Sequence, residues 1–107
     1  MTNMPVEVYT SSDFTENELF AFIADADSRN YVMSAGCHHS QYGLVSGHAY
    51  GLIGVSGSNI IVRNPWGSEN YTGPGSDQTD DGQFEVPIDI FRTSFTSFTV
   101  LMYDDWN

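Results

Sequence analysis

The sequence contains no lysine and only three arginines, against 14 aspartates and glutamates, so its formal charge is −11. A surface this acidic repels phosphates, which makes nucleic acid and anionic membranes poor partners and cations or basic peptides better ones. A single cysteine, Cys37, excludes an internal disulfide framework and any cysteine-cluster zinc site. His38 and His39 are adjacent, so they cannot share one face of a strand, and no Cys or His partner stands at zinc-finger spacing. They read as a surface loop. No apolar run approaches the roughly 20 residues of a membrane-spanning helix. The N-terminus also lacks the basic start and apolar stretch of a secretion signal. The chain is therefore expected to be intracellular, in the cytoplasm, with no membrane span.

What is present is enough for one small domain. The 107 residues are 40% hydrophobic and 14% aromatic, which supports a core and argues against disorder. A chain of this size buries only about 60–70% of its unfolded surface, so its stability should be modest. Thr15-Glu16-Asn17-Glu18 reads as a capping box, in which the Thr hydroxyl and the Glu carboxylate each take a backbone N–H. Behind it Leu19, Phe20, Ile23 and Ala26 recur at helical spacing, which predicts a helix over 16–28. The remainder reads as strands: a short extended run at Val6–Tyr9, then Tyr31–Ala35, Gly47–Val55, Asn59–Asn64, Gln83–Val86 and Phe95–Tyr103. A polar loop is expected at Gly36–Gly43 and a turn of helix at Ile88–Thr93. Ser56-Gly57-Ser58 is a hairpin turn with a glycine available for positive φ. The imperfect alternation of Phe95, Phe98, Val100 and Met102 reads as a strand buried on both faces. The long polar stretch Pro65–Gly82 has the length of a functional or disordered loop. The fold class is α+β, one main helix on a mostly antiparallel β-sheet or small open barrel.

Two short motifs carry the chemistry, Ser46-Gly47-His48-Ala49-Tyr50 and Arg63-Asn64-Pro65-Trp66-Gly67. The hairpin turn falls midway between residues 48 and 64, so folding brings an imidazole beside a carboxamide, with an indole close by. An Asn oxygen that accepts one ring N–H fixes the imidazole tautomer and aims the other ring nitrogen outward. A neighbouring thiol can then yield its proton, and the thiolate–imidazolium pair is a strong nucleophile. A Trp over the contact would exclude water and strengthen the hydrogen bond.

Gly43-Leu44-Val45-Ser46-Gly47-His48-Ala49-Tyr50, Arg63-Asn64-Pro65-Trp66-Gly67, Tyr71-Thr72-Gly73 and Asp81-Gly82-Gln83-Phe84 occur in that order. Together they resemble the second half of the calpain protease core, within the papain-like cysteine peptidases, over about residues 19–103. The resemblance implies that His48 is the catalytic imidazole, Asn64 its orienting amide, Trp66 an aromatic shield and Gly47 a backbone contact for a polypeptide substrate. In that family the nucleophilic Cys and the Gln of the oxyanion hole lie in the preceding half of the core, which this chain is expected to lack. Cys37 falls at a structural Gly-Cys position instead. The expectation is an endopeptidase subdomain that hydrolyses peptide bonds only together with a Cys-bearing N-terminal half, and is inactive alone. Calpain cores also bind calcium in the loop after the Asn. The matching positions are Asn70, Asp77, Thr79, Asp81 and Gln83, two of them amides where the family pattern has acids, with Asp80 able to compensate. Calcium favours about six to eight oxygens with several charges among them, so the segment reads either as a weakened or lost calcium site or as a solvated acidic loop. No organic cofactor is implied. Two other readings stay open: an inactive binding or scaffold module of the same fold, and an acidic calcium-binding domain whose His and Asn are structural.

Overall fold

The computed structural model describes residues 6–65, 67, 71–74 and 82–101. Six strands run in chain order as β1 (Val6–Thr10), β2 (Val32–Cys37), β3 (His48–Ser56), β4 (Asn59–Arg63), β5 (Gln83–Pro87) and β6 (Phe95–Leu101). They form one antiparallel sheet in the order β1-β6-β2-β3-β4-β5. Helix α1 (Glu16–Ser28) and the short α2 (Ile88–Ser94) pack against it, giving the expected α+β class.

Helix α1 starts and stops where its sequence dictates. The Glu18 N–H donates to Thr15 Oγ1 at 3.2 Å and the Thr15 N–H to Glu18 Oε1 at 2.9 Å, the two halves of a capping box. At the other end Asn30 takes φ +61°, and the Tyr31 and Asn30 N–H groups donate to the carbonyls of Ala26 and Asp27. That is the Schellman arrangement, with Asn in the left-handed position that most side chains avoid. Leu19, Ile23 and Ala26 are buried, and Phe20 packs partly buried at their side.

The inner face of the sheet is a continuous apolar layer. Met33, Ala35 and Cys37 of β2 lie level with Leu52, Tyr50 and His48 of β3, and Ile60, Val62, Phe84, Val86, Phe98 and Val100 extend the layer to both sides. Toward β1 it becomes aromatic: the Phe98 ring is 5.3 Å from Tyr9, 5.9 Å from Phe14 and 5.9 Å from Phe22. Arg92 of α2 fastens the turn after β1 to this layer, donating to the Phe14 carbonyl at 2.7 Å.

Three local expectations need correction. Strand β2 does not end at Ala35, because Gly36 and Cys37 are held on both sides, by Ala49 and His48 of β3 and by Ser97 and Phe95 of β6. Strand β6 is not buried on both faces. Gly36 pairs with Ser97 but Cys37 pairs with Phe95, so Thr96 is one extra residue. A bulge of this kind resets the alternation, and Phe95 joins Phe98 and Val100 on the buried face while Thr96 is exposed. The hairpin register also differs. A second bulge at Ile53 shifts the β3–β4 pairing so that Gly51 lies opposite Arg63. Asn64 therefore follows at the level of Tyr50, and His48 lies two residues further along on the same face.

The packing around Phe98 sets the first prediction. Phe98→Ala removes a ring that is 1% exposed and should cost about 3–5 kcal/mol, whereas Thr15→Ala should cost about 1 kcal/mol by removing one cap. Urea unfolding midpoints compare the two; equal losses would mean that the aromatic layer does not carry the fold.

Candidate functional site

The segment between β2 and β3 is held at both ends before it delivers His48. The His38 N–H donates to the Ser94 carbonyl, and the Gly47 N–H donates to the Cys37 carbonyl at 2.7 Å. Gly47 has φ +77°, a backbone state that glycine reaches without steric cost. In between, the Gln41 amide donates to Oγ of the buried Ser94 at 2.6 Å, and the Val45 N–H donates to the Tyr50 hydroxyl at 3.1 Å. His38 and His39 are exposed on this segment, as their adjacency implied. Among the described residues no group of three or more His, Cys, Asp or Glu side chains could hold a metal.

Asn64 leaves the end of β4 with its backbone fixed. Its N–H donates to the Gly82 carbonyl at 2.7 Å, and its own carbonyl accepts from the Gly67 N–H at 3.0 Å. The side chain is 5% exposed, and its Oδ1 lies 2.9 Å from Nε2 of His48. A carboxamide oxygen can only accept, so the neutral imidazole carries its proton on Nε2 and its basic lone pair on Nδ1. Burial of the amide strengthens this bond by keeping water from competing for it. The folded chain thus joins the two residues that the motif spacing singled out, through a diagonal contact between strands.

Tyr50 is a part of this arrangement that the motif reading passed over. Its ring meets the His48 ring edge-to-face at 4.8 Å and 80°, and Phe95 and Phe84 close on it at 5.3 and 6.0 Å. The signal was available: residues 48 and 50 of one strand share a face. Cys37 is the cross-strand partner of His48, yet it is fully buried, and its sulfur faces the His39 carbonyl at 3.7 Å. Burial pushes the Cys37 thiol above its ordinary pKa. Such a thiol stays protonated and inert.

Of the other predicted positions, Gln83 is exposed at the first residue of β5, opposite Arg63. Trp66, Asn70, Asp77, Thr79, Asp80 and Asp81 lie outside the described residues. Nearby, Tyr71 to Pro74 folds tightly onto Tyr42: the Thr72 N–H donates to the Tyr42 carbonyl at 2.8 Å, and the Tyr71 hydroxyl to the Pro74 carbonyl at 2.6 Å. A Cβ on Gly73 would stand 2.7 Å from atoms of both tyrosines, so only glycine fits there.

Comparison with known proteins gives one consistent result. A family model described as calpain family cysteine protease matches residues 1–96. The chain is 32% identical to calpain-9 of Rattus norvegicus, over 50% of this chain and 12% of the relative. It is 30% identical to the calpain-type cysteine protease DEK1 of Zea mays, over 64% of this chain and 4% of the relative. The chain thus spans only a small part of the length of these curated relatives. Among the described residues, no helix is long and apolar enough to cross a membrane.

The Cys37 environment yields a direct check. At pH 8 a disulfide reagent should modify Cys37 in the folded chain at least about tenfold more slowly than in urea, since both access and thiolate fraction are reduced. Equal rates would mean that the thiol is open and ionisable, and Cys37 would return as a candidate nucleophile.

Proposed function

This chain belongs to the calpain family of cysteine proteases, and on that premise we propose that residues 1–107 are the His- and Asn-bearing subdomain of a papain-like endopeptidase core. The single observation that carries the reading is the 2.9 Å contact between His48 Nε2 and Asn64 Oδ1. In this reading the nucleophilic thiol comes from a Cys-bearing N-terminal half, and a polypeptide substrate lies in the cleft between the two halves. Nδ1 of His48 takes the proton of that thiol, and the thiolate attacks the scissile carbonyl carbon. The imidazolium then returns the proton to the leaving amine, so that His48 serves as base and then as acid. Asn64 contributes by holding the tautomer that makes Nδ1 the reactive atom. Gly47, with its freely adopted backbone turn, is assigned to the substrate's main chain, and Trp66 to the exclusion of water from the His48–Asn64 bond. Cys37 takes no part.

Calcium belongs to the same proposal. Asn70, Asp77, Thr79, Asp81 and Gln83 offer only oxygen donors, two of them carboxylates, which is the ligand chemistry of calcium and not of zinc. Gln83 stands exposed at the start of β5. A bound calcium would neutralise acidic charge and help bring the two halves into register. With amides at two positions the affinity should be weak.

Two measurements test these assignments. When the chain is reunited with a Cys-bearing half, peptide hydrolysis should be restored, and His48→Ala should lower it by about a thousandfold or more. An unchanged rate in that variant would remove His48 from the chemistry. No turnover in the reunited wild type, with peptide binding retained, would favour a binding module. Separately, millimolar calcium should raise the melting temperature of the chain, and Asp77→Asn with Asp81→Asn should abolish the rise. Melting that ignores calcium would remove the cation site.

A further inference from the structure

We infer that Tyr50 is a positioning residue for His48, fixing the plane of the imidazole through its ring and the approach of the Val45–Gly47 segment through its hydroxyl. The inference deepens the proposed function, on which its catalytic meaning rests.

Three observations carry it. First, the hydrogen bond to Asn64 holds one edge of the His48 ring but permits rotation about the Nε2–Oδ1 direction. A second contact on the ring limits that freedom, and Tyr50 supplies one edge-to-face at 4.8 Å. Second, the Tyr50 ring is itself immobile. It is 3% exposed and meets Phe95 at 5.3 Å and Phe84 at 6.0 Å, each near perpendicular. Those two rings are braced in turn, Phe95 by stacking on Phe91 at 5.0 Å and Phe84 by stacking on Tyr71 at 4.9 Å. The plane of His48 is therefore referred to rings from β5, β6, α2 and the loop after β4. Third, the Tyr50 hydroxyl accepts from the Val45 N–H at 3.1 Å, two residues before Gly47. Burial raises the hydroxyl's pKa, so it stays neutral at physiological pH and keeps its own proton.

The two ends of the side chain can be separated. Tyr50→Phe keeps the ring and removes only the acceptor for the Val45 N–H. Tyr50→Leu fills part of the volume but provides no ring face. In the chain as it stands, Val45 amide exchange should accelerate about tenfold in Tyr50→Phe, while side-chain carbon relaxation of His48 stays as in the wild type. In Tyr50→Leu the imidazole should show a clearly lowered order parameter with Asn64 unchanged. A His48 ring as ordered in Tyr50→Leu as in the wild type would overturn the ring's role. An equal loosening in Tyr50→Phe would overturn the division between ring and hydroxyl. If the Leu variant does not fold, the wild-type ring-to-ring nuclear Overhauser contacts decide: their absence contradicts the packing, and their presence with a rigid imidazole supports it. None of these readouts needs peptidase activity. A failed reunion with a Cys-bearing half would thus sink the peptidase reading while leaving Tyr50's hold on the imidazole to be judged on its own.

Discussion

Everything at this site depends on a single hydrogen bond that links the start of one strand to the end of the next. His48 opens β3 and Asn64 follows β4, and 2.9 Å separates Nε2 from Oδ1. The intervening residues are spent on a two-stranded hairpin whose turn uses Gly57 at φ +60°. Shortening or lengthening that hairpin by one residue would turn one of the two side chains to the other face of the sheet. The bulge at Ile53 is therefore part of the site: it sets the register in which Asn64 meets His48 on the diagonal.

The bond also needs a dry, rigid surrounding, which the sheet provides through aromatic residues rather than charges. Asn64 is buried and anchored by its own backbone to Gly82 and Gly67. Tyr50, Phe84, Phe95, Phe91 and Tyr71 form a contiguous set of rings beneath the imidazole. A second aromatic group around Phe98 holds β1 and α1 at the far edge. One set of rings orients the site and the other carries the fold. Among the described residues no aspartate or glutamate is buried, and such acidic charge suits a cation or a basic peptide more than another anion.

Much of this was legible in the residues, and the failures have physical causes. The start of the helix is legible because Thr15 and Glu18 form a local capping box, with hydrogen bonds encoded within a few residues, and its extent because Leu19, Phe20, Ile23 and Ala26 recur at helical spacing. The approach of His48 to Asn64 followed from the position of the turn. What the sequence concealed depends on pairing between distant strands. Neither bulge is marked by a local signal, so the register of β3 with β4 and the buried face of β6 were misread. Strand β2 ran past Gly36 because two neighbours held it, and a glycine in isolation suggests a loop. Tyr50 shared a motif with His48, but its clamp comes from Phe84 and Phe95, more than thirty residues away in sequence.

The tautomer of one imidazole decides which nitrogen can act, and nitrogen-15 spectra of the His48 side chain across the neutral pH range measure it directly. A dominant Nε2–H form that becomes a mixture in Asn64→Ala is the predicted result. It would mean that the hairpin prepares Nδ1 to receive a proton from a thiol. A dominant Nδ1–H form, or a spectrum indifferent to Asn64→Ala, would contradict it, because the nitrogen assigned to the chemistry would already hold a proton.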